Sequence, residues 1–147
     1  MYRIGKMRLW HYKLINCLPR SQLLAQWREL NLIFRQKQNH ILINYIYSYK
    51  YKDKKDLLAY SNLVLEEMRN RNYHISYENY ENCFRGIVTD IVEPFPEHQN
   101  DEYLIICFYN LKEKYTRGQK DFSEIEYAKL LSIKDNIESK QIRNSTD

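Results

Sequence analysis

Apolar residues recur every three or four positions between Leu18 and Phe34, in the stretch LPRSQLLAQWRELNLIF. This period predicts an amphipathic α-helix whose apolar side, at about 100° per residue, collects Leu23, Leu24, Trp27, Leu30, Ile33 and Phe34. Ser21 precedes the periodic part, and we expect its hydroxyl to cap the amides of the first turn. The rest of the chain is expected to pack around this helix.

Polar side chains flank the apolar stripe of that helix. Gln22, Gln26 and Glu29 lie on one flank, and Arg28 and Arg35 lie on the other. Acid–base catalysis often uses a carboxylate at the margin of a core, because partial burial changes how readily the carboxylate takes up and releases a proton. A solvated face is the commoner structure for an Arg-Glu pair on a helix, so both interpretations stand at this point.

Three further helices are predicted downstream. One runs from Leu57 to about Asn72 with Asp56 as its cap. Another begins at Asn100 or Asp101 and ends at Arg117 and Gly118, since glycine suits the left-handed residue that closes a helix. Ser123 opens the last helix, whose predicted apolar residues are Ile125, Ala128, Leu131 and Ile137.

Two shorter segments precede or connect these helices. MRLWHYKLI, at 7–15, is expected to anchor on the core through four apolar side chains, namely Leu9, Trp10, Leu14 and Ile15. His11 within it is predicted to be a packed or hydrogen-bonded histidine, because no second histidine lies at ligand spacing. Residues 73–85 show weak periodicity and are expected to form a loop or a short helical turn that ends at Gly86.

The segment HILINYIYSYKY, at 40–51, fits two periods. Its apolar residues fit a helix, which we favour because the neighbouring segments are helical, while Tyr45, Tyr47, Tyr49 and Tyr51 fit a strand equally well. Lysines follow the tyrosines, and aromatic rings beside ammonium groups suit nucleic acid, because rings stack on bases and lysines neutralise phosphates. A half-buried aromatic stripe that ends in a solvated lysine loop is the equal alternative.

Composition limits the class of protein. The 147 residues are 44% apolar and 29% charged, which is typical of one soluble globular domain. No apolar run approaches the roughly 20 residues of a membrane span, and no signal peptide is recognisable, so we expect a cytoplasmic protein without a membrane partner. We therefore predict an all-α fold, a compact bundle of four to five helices at 7–138, with an extension at 1–6 and a polar, frayed tail at 139–147.

The cysteines and the net charge restrict the possible functions only slightly. Cys17, Cys83 and Cys107 are far apart and without ligand spacing, so buried free thiols are expected and a zinc site is not. The net charge of +4 permits a polyanionic partner without requiring one. The fourteen tyrosines, with abundant lysine, asparagine and isoleucine, are also what an AT-rich genome would produce.

Five pieces of the chain carry a family resemblance. They are MRLWH at 7–11, LPRSQLLAQWREL at 18–30, His40 with Asn44 and Tyr45, LVLEEMRNRNYHI at 63–75 and FRG at 84–86. In order and spacing these pieces resemble the endonuclease V type pyrimidine-dimer DNA glycosylases and their bacterial relatives. The resemblance covers about residues 7–86 and does not extend past Asp101.

The resemblance implies an all-α DNA repair glycosylase with an AP-lyase activity, acting on double-stranded DNA without a metal or organic cofactor. In this family the terminal α-amine attacks the sugar and forms an imine, and a glutamate matching Glu29 assists ring opening and proton transfer, next to an arginine matching Arg28. A monomer is expected. Candidate DNA-binding residues are Gln22, Gln26, Arg35, His40, Tyr45, Lys50 and Lys52.

The chain departs from the family at the nucleophile. Counted back from Glu29, that position is Arg8, where the family has a small residue exposed by methionine removal, and Met7 stands before it as a second candidate start. Two alternatives therefore accompany the enzyme: a DNA- or lesion-binding module without imine chemistry, and a helical interaction protein whose charge is incidental.

Overall fold

Five α-helices and a short 3-10 helix make up most of the part of the chain that the structure, a computed structural model, describes, namely residues 9–36, 40–42, 48–50 and 54–145. The elements are the 3-10 helix Tyr12–Cys17, α1 Arg20–Phe34, β1 His40–Leu42, β2 Ser48–Lys50, α2 Lys55–Asn70, α3 Glu78–Cys83, α4 Asp101–Thr116 and α5 Glu124–Ser145. The predicted all-α fold is confirmed. In these ranges, no helix combines the length and the apolar character that crossing a bilayer demands.

The favoured helix at 40–51 is wrong. β1 and β2 form an antiparallel ribbon in which His40 lies opposite Lys50 and Leu42 lies opposite Ser48. Isoleucine and tyrosine favour the extended backbone, and the period of two in the tyrosines was the correct signal. Tyr45, Tyr47 and Tyr51 lie outside the described residues.

The core forms around α1 as its pattern predicted. Leu23, Trp27, Leu30, Ile33 and Phe34 are buried there, and Leu24 is half-buried. The predicted N-terminal anchors are buried as well, namely Leu9, Trp10, Leu14 and Ile15. Complete burial of an apolar side chain of this size contributes about 1.5–3 kcal/mol, so the segment at 9–15 is a structural part of the domain.

Two predicted helix caps are wrong because long-range contacts replace them. α1 begins at Arg20 with Pro19 as its N-cap, and the amide of Ser21 is satisfied by Asp121 Oδ2, at 2.7 Å, from the loop between α4 and α5. α2 begins at Lys55, and Asp56 in its first turn accepts from the Phe95 amide at 2.8 Å. In both cases, a hydrogen bond between a carboxylate and a backbone amide joins the start of a helix to a distant loop.

The caps of α4 and α5 are confirmed. Asn100 accepts from the Tyr103 amide at 2.9 Å, and Gly118 closes α4 with a φ of +84°. At α5, Ser123 Oγ accepts from the Glu126 amide at 3.1 Å, while Glu126 accepts from the Ser123 amide at 2.9 Å. This reciprocal pair satisfies free donors at the helix start.

The predicted apolar face of α5 is mostly wrong. Ile125 is 71% and Leu131 is 38% exposed, and Ala128 is exposed, whereas Leu130 and Ile137 are buried. α5 packs on the 3-10 helix and on α4, and that docking selects a face that its weak amphipathic pattern does not define. The helix continues to Ser145, through residues expected to form a frayed tail.

Candidate functional site

A groove of about 700 Å³ lies along the outer side of α1. Its lining includes Arg28, Glu29 and Arg35, three of the residues predicted for the site. Arg28, Leu32 and Arg35 are spaced i, i+4 and i+7, which sets them along one line of the helix surface. A groove of this size falls in the range of ligand sites.

The opposite wall of the groove comes from α3 and the segment before it. Ser76 and Asn79 line this wall, and Asn79 Nδ2 donates to Asn31 Oδ1 on α1 at 3.0 Å. Asn31 in turn donates to the carbonyl oxygen of Trp27 at 2.8 Å. The bond between Asn79 and Asn31 therefore joins the two walls, and the bond to Trp27 orients Asn31 on α1.

Trp27 lines the groove and also belongs to a cluster of aromatic rings. Trp27, which is 7% exposed, packs edge-on against Phe34 with ring centroids 5.7 Å apart. Phe84 packs edge-on against both Phe34 and Tyr80, at 5.2 Å in each case. Edge-to-face contacts are a preferred arrangement of aromatic rings, so this cluster supports Trp27 at the groove.

Glu29 and the two arginines bring complementary chemistry to this groove. Glu29 is half-buried, and Arg28 and Arg35 are exposed. Guanidinium groups bind phosphate oxygens with charge-assisted hydrogen bonds, and a carboxylate moves protons. Together they can hold a polyanion and act as acid or base on it.

Gln26, predicted to contact DNA, lies instead in the core, where it is 2% exposed. Its Oε1 accepts from the Trp10 amide at 2.7 Å and lies 3.0 Å from the Tyr60 hydroxyl. The Tyr60 hydroxyl donates to the Trp10 carbonyl oxygen at 2.5 Å. A buried amide satisfied in this way is not available to a ligand, so we remove Gln26 from the candidate surface.

The backbone on either side of Trp10 is held in the same manner. The Tyr103 hydroxyl, from α4, donates to the Leu9 carbonyl oxygen. Gln99 Oε1 accepts from the Tyr12 amide at 2.7 Å. Side chains from both halves of the chain therefore fix the segment at 9–12.

The buried histidines are structural. His11 Nδ1 accepts from the Lys13 amide at 3.1 Å, so Nε2 carries the proton and donates to the Gln99 carbonyl oxygen at 2.9 Å. Burial lowers the pKa of His11 and of His98 to about 4. The packing and hydrogen-bonding role predicted for His11 is confirmed, and both rings are neutral at pH 7.

The cysteines are buried free thiols, as predicted. Burial raises the pKa of Cys17 and of Cys107 to about 12, so neither supplies a thiolate at neutral pH. Among the residues that the structure describes, no cluster of three or more histidine, cysteine or acidic residues could hold a metal ion.

The other candidate residues fall into two groups. Gln22 lies near the start of α1, away from the groove lining, and its Oε1 accepts from Gln119 Nε2 at 2.7 Å. Met7, Arg8, Tyr45 and Lys52 lie outside the described residues, and His40 and Lys50 are described only as paired backbone positions of the ribbon. The structure thus brings together Arg28, Glu29 and Arg35 in the groove lining, which does not include Gln22 or Gln26.

Sequence reasoning missed several groove residues. Asn31 and Leu32 lie on the predicted helix beside Arg28 and Glu29, and spacing alone could have included them. Ser76 and Asn79 carry no such signal, since only the fold brings α3 to α1. The burial of Gln26, by contrast, could have been predicted from the sequence. Gln26 lies three residues after Leu23 and four before Leu30, and this spacing places it on the buried side of the helix.

Comparison with known proteins supplies the family. The family model described as pyrimidine dimer DNA glycosylase matches residues 7–80, half of the chain. The chain belongs to the pyrimidine dimer DNA glycosylase family. No curated protein and no solved structure matches it.

The part that matches this glycosylase family contains every groove residue, from Ala25 to Asn79. Membership suggests a DNA repair glycosylase with DNA as its substrate. α4 and α5 lie beyond the match, although Tyr103 and Asp121 support the matched part.

Proposed function

We propose that this protein is a DNA repair glycosylase with AP-lyase activity on double-stranded DNA that carries pyrimidine-dimer-type damage. It acts as a monomer in the cytoplasm. The observation that carries the proposal is the groove whose lining includes Glu29, Arg28 and Arg35, inside the part of the chain that matches the family.

The terminal α-amine is the proposed nucleophile. The reference pKa of such an amine is about 7.7–8.0, so a useful fraction is neutral near pH 7. Its nitrogen attacks C1′ of the damaged nucleotide, and the bond from C1′ to the base breaks. The base leaves with the electron pair and takes up a proton, and the nitrogen loses one.

Glu29 is the proposed acid and base of the following steps. The C1′–O4′ bond breaks as the C1′=N bond forms, and Glu29 gives a proton to O4′. Glu29 then accepts a proton from C2′, and the 3′-phosphate leaves, which cuts the strand. Water hydrolyses the imine and restores the free amine. No step uses an oxidant, and water is the co-reactant of the last step.

A hydrogen bond links the start of the described chain to the helix that carries Glu29, which supports the proposal. Trp10 is bonded to Gln26, and Gln26 lies three residues before Glu29 on α1. Residues three apart on a helix have Cβ atoms about 5–6 Å from each other.

DNA binding is assigned to Arg28 and Arg35 in the groove. Their guanidinium groups neutralise phosphates and release counterions, so affinity will fall as salt rises. The sugar carbon is reachable only after a nucleotide leaves the stack, and damage lowers the cost of that step because the damaged base stacks poorly.

Borohydride trapping tests the proposal. The reductant converts the imine into a stable amine, so duplex DNA with an abasic site or a pyrimidine dimer should yield a covalent protein–DNA adduct. Chains starting at Met1 and at Met7 are compared, and the intact mass of each identifies the first residue. Absence of the adduct with both chains would exclude the lyase mechanism.

One observation favours a second function. Arg8 stands where the family has a small residue that carries the nucleophilic amine, and this departure suits a lesion-binding module without imine chemistry. Such a module would bind duplex DNA in a salt-dependent way, cut nothing, and bind equally well after Glu29→Gln. Weaker binding of that variant, or strand cleavage by the wild type, would count against it.

A further inference from the structure

The wall of the groove that faces α1 continues past the groove toward the start of that helix. The Arg20 guanidinium lies over the Tyr73 ring, 4.7 Å from the ring centroid. At the other end of the same wall, Asn79 donates to Asn31 at 3.0 Å. Arg20 and Asn31 are separated by about 16 Å along the helix axis. The segment from Tyr73 to Asn79, whose Ser76 lines the groove, therefore follows α1 along most of its length.

Three arginines lie along this side of α1. Arg20 is the first residue of the helix, Arg28 lines the groove, and Arg35 directly follows the last helical residue with a helical backbone conformation. At about 100° and 1.5 Å per residue, the three fall within about 80° around the axis and span about 22 Å along it. All three are exposed. We name this set the arginine row.

Charge and exposure suit the arginine row to an external anion. In the part of the chain that the structure describes, the ion pairs involve other cations, namely Arg71, Arg117 and Lys134. Guanidinium groups bind phosphate oxygens through charge-assisted hydrogen bonds. The contact with the Tyr73 ring restricts the Arg20 side chain, so less conformational entropy is lost when a phosphate binds to it.

The start of α1 offers an anion the Arg20 side chain rather than the Ser21 amide. Amides at a helix N-terminus can bind anions, but the Ser21 amide already donates to Asp121 Oδ2 at 2.7 Å. The Arg20 guanidinium is therefore the group to remove in a test of anion binding at this end of the helix.

We propose that the arginine row follows the sugar–phosphate backbone of duplex DNA, so that Arg20 and Tyr73 extend the DNA-binding surface beyond the groove. Each strand carries one phosphate per about 3.4 Å of duplex axis, so a row of about 22 Å is long enough for several phosphates of one strand. Arg20 lies about 12 Å along α1 from Arg28 and contacts DNA away from the nucleotide that reacts at Glu29. This inference rests on the proposed function, since it requires DNA in the groove.

The experiment measures the salt dependence of duplex binding by Arg20→Gln. The probe is a long labelled duplex with one tetrahydrofuran analogue of an abasic site, which cannot form an imine. Loss of one phosphate contact should lower the slope of log K against log salt by about 1. Strand cleavage of an abasic duplex at saturating protein should keep the wild-type rate, because Arg20 binds the backbone and takes no part in proton transfer.

Tyr73 offers a matched pair of variants. Tyr73→Phe keeps the ring under Arg20, whereas Tyr73→Leu keeps an apolar side chain and removes the ring. Tyr73→Phe should bind the duplex like the wild type. Tyr73→Leu should bind about two- to fivefold more weakly, which is the size of a cation–π contact at an exposed site. Wild-type affinity of a folded Tyr73→Leu would overturn the part assigned to Tyr73, and Arg20→Gln carries the test where that variant does not fold.

Lys112→Gln is the control for charge. Lys112 is an exposed cation that lies over the Tyr109 ring, 5.9 Å from the ring centroid, on α4. The contact thus resembles that of Arg20 with Tyr73, but it lies on a helix other than α1. The salt slope of this variant should equal that of the wild type.

The outcomes separate this inference from the proposed function. A wild-type salt slope in folded Arg20→Gln, with cleavage intact in the wild type, would overturn the inference and leave the proposed function standing. A wild type that binds no duplex at low salt would overturn both. Equal decreases in slope for Arg20→Gln and Lys112→Gln would reveal an effect of net charge alone and would also overturn the inference.

Discussion

Asp121 Oδ2 accepts a hydrogen bond from the Ser21 amide at 2.7 Å, although the two residues are 100 positions apart. The bond caps α1 from the loop between α4 and α5, because no side chain at Pro19 does so. A loop beyond the family match thus supports the helix that carries Glu29.

Replacing Asp121 should therefore destabilise the fold. Asp121→Ala leaves the Ser21 amide uncapped, and loss of a cap costs about 1 kcal/mol of unfolding free energy. Urea denaturation at pH 7 measures it. Asp90→Ala, at an exposed position outside the helices, is the control and should change stability by less than about 0.5 kcal/mol. Equal midpoints for both variants would show that the bond contributes nothing.

The cap also has a pH dependence. Burial raises the pKa of Asp121, but hydrogen bonds from Gln119 and Ser21 outweigh this effect and lower the pKa below its ordinary value. Its contribution is therefore complete above the unfolded pKa and lost as pH falls through the folded one.

The sequence predicted the parts of the fold that local patterns determine. The buried stripe of α1 and the caps at Asn100 and Ser123 follow from residues within one or two helical turns. The face of α5 did not, because Leu130 is buried by packing on distant elements rather than by a strong stripe of its own.

In the candidate site, too, the sequence predicted the residues that a local pattern determines and missed those that only the fold brings in. Arg28, Glu29 and Arg35 were predicted because they lie on one regular helix. Asn79 was not, since it lies 48 residues from Asn31, to which it donates. The role of Gln26 depends on a backbone amide 16 residues away, which no helical pattern encodes.

Removal of the groove arginines should reduce the salt dependence of DNA binding. Eliminating one phosphate contact lowers the slope of log K against log salt by about 1, so Arg28→Gln and Arg35→Gln should each do so. Fluorescence anisotropy of a labelled duplex between low and physiological salt gives the slope. Arg117→Gln is the control, because Arg117 is 79% exposed and pairs with Glu113 at 2.7 Å, away from the groove lining. Unchanged slopes in both groove variants would place the DNA elsewhere.

The buried histidines predict a loss of stability in mild acid. The pKa of His11 and of His98 is about 4 in the fold, against 6.5 in the unfolded chain, so the unfolded state binds more protons between these values. Stability is complete above pH 6.5 and falls as pH decreases toward 4. Between pH 7 and pH 5 each histidine should cost on the order of 1–2 kcal/mol. Urea denaturation at both pH values checks this, and His98→Gln should show a smaller decrease than the wild type; an equal decrease would contradict the assignment.

Gln26→Leu should destabilise the protein although leucine is more apolar. The Trp10 amide would be buried without its acceptor, and such a group costs about 1–3 kcal/mol. Gln36→Leu, at an exposed position just after α1, is the matched control, with an expected change below about 0.5 kcal/mol. Urea denaturation compares the two, and a Gln26→Leu variant as stable as the wild type would show that the amide finds another partner.

Glu29→Gln should separate activity from stability. Glu29 is half-buried at the groove, so the neutral isostere should fold with a stability within about 0.5 kcal/mol of the wild type. Loss of a general acid and base lowers a rate by about 10²- to 10⁴-fold, and strand cleavage at an abasic site should fall by that amount. Duplex affinity should be kept, because the arginines supply the phosphate contacts. Glu66→Gln, on the exposed side of α2, is the control and should cleave at the wild-type rate. Cleavage by Glu29→Gln at the wild-type rate would assign the proton transfers to another group.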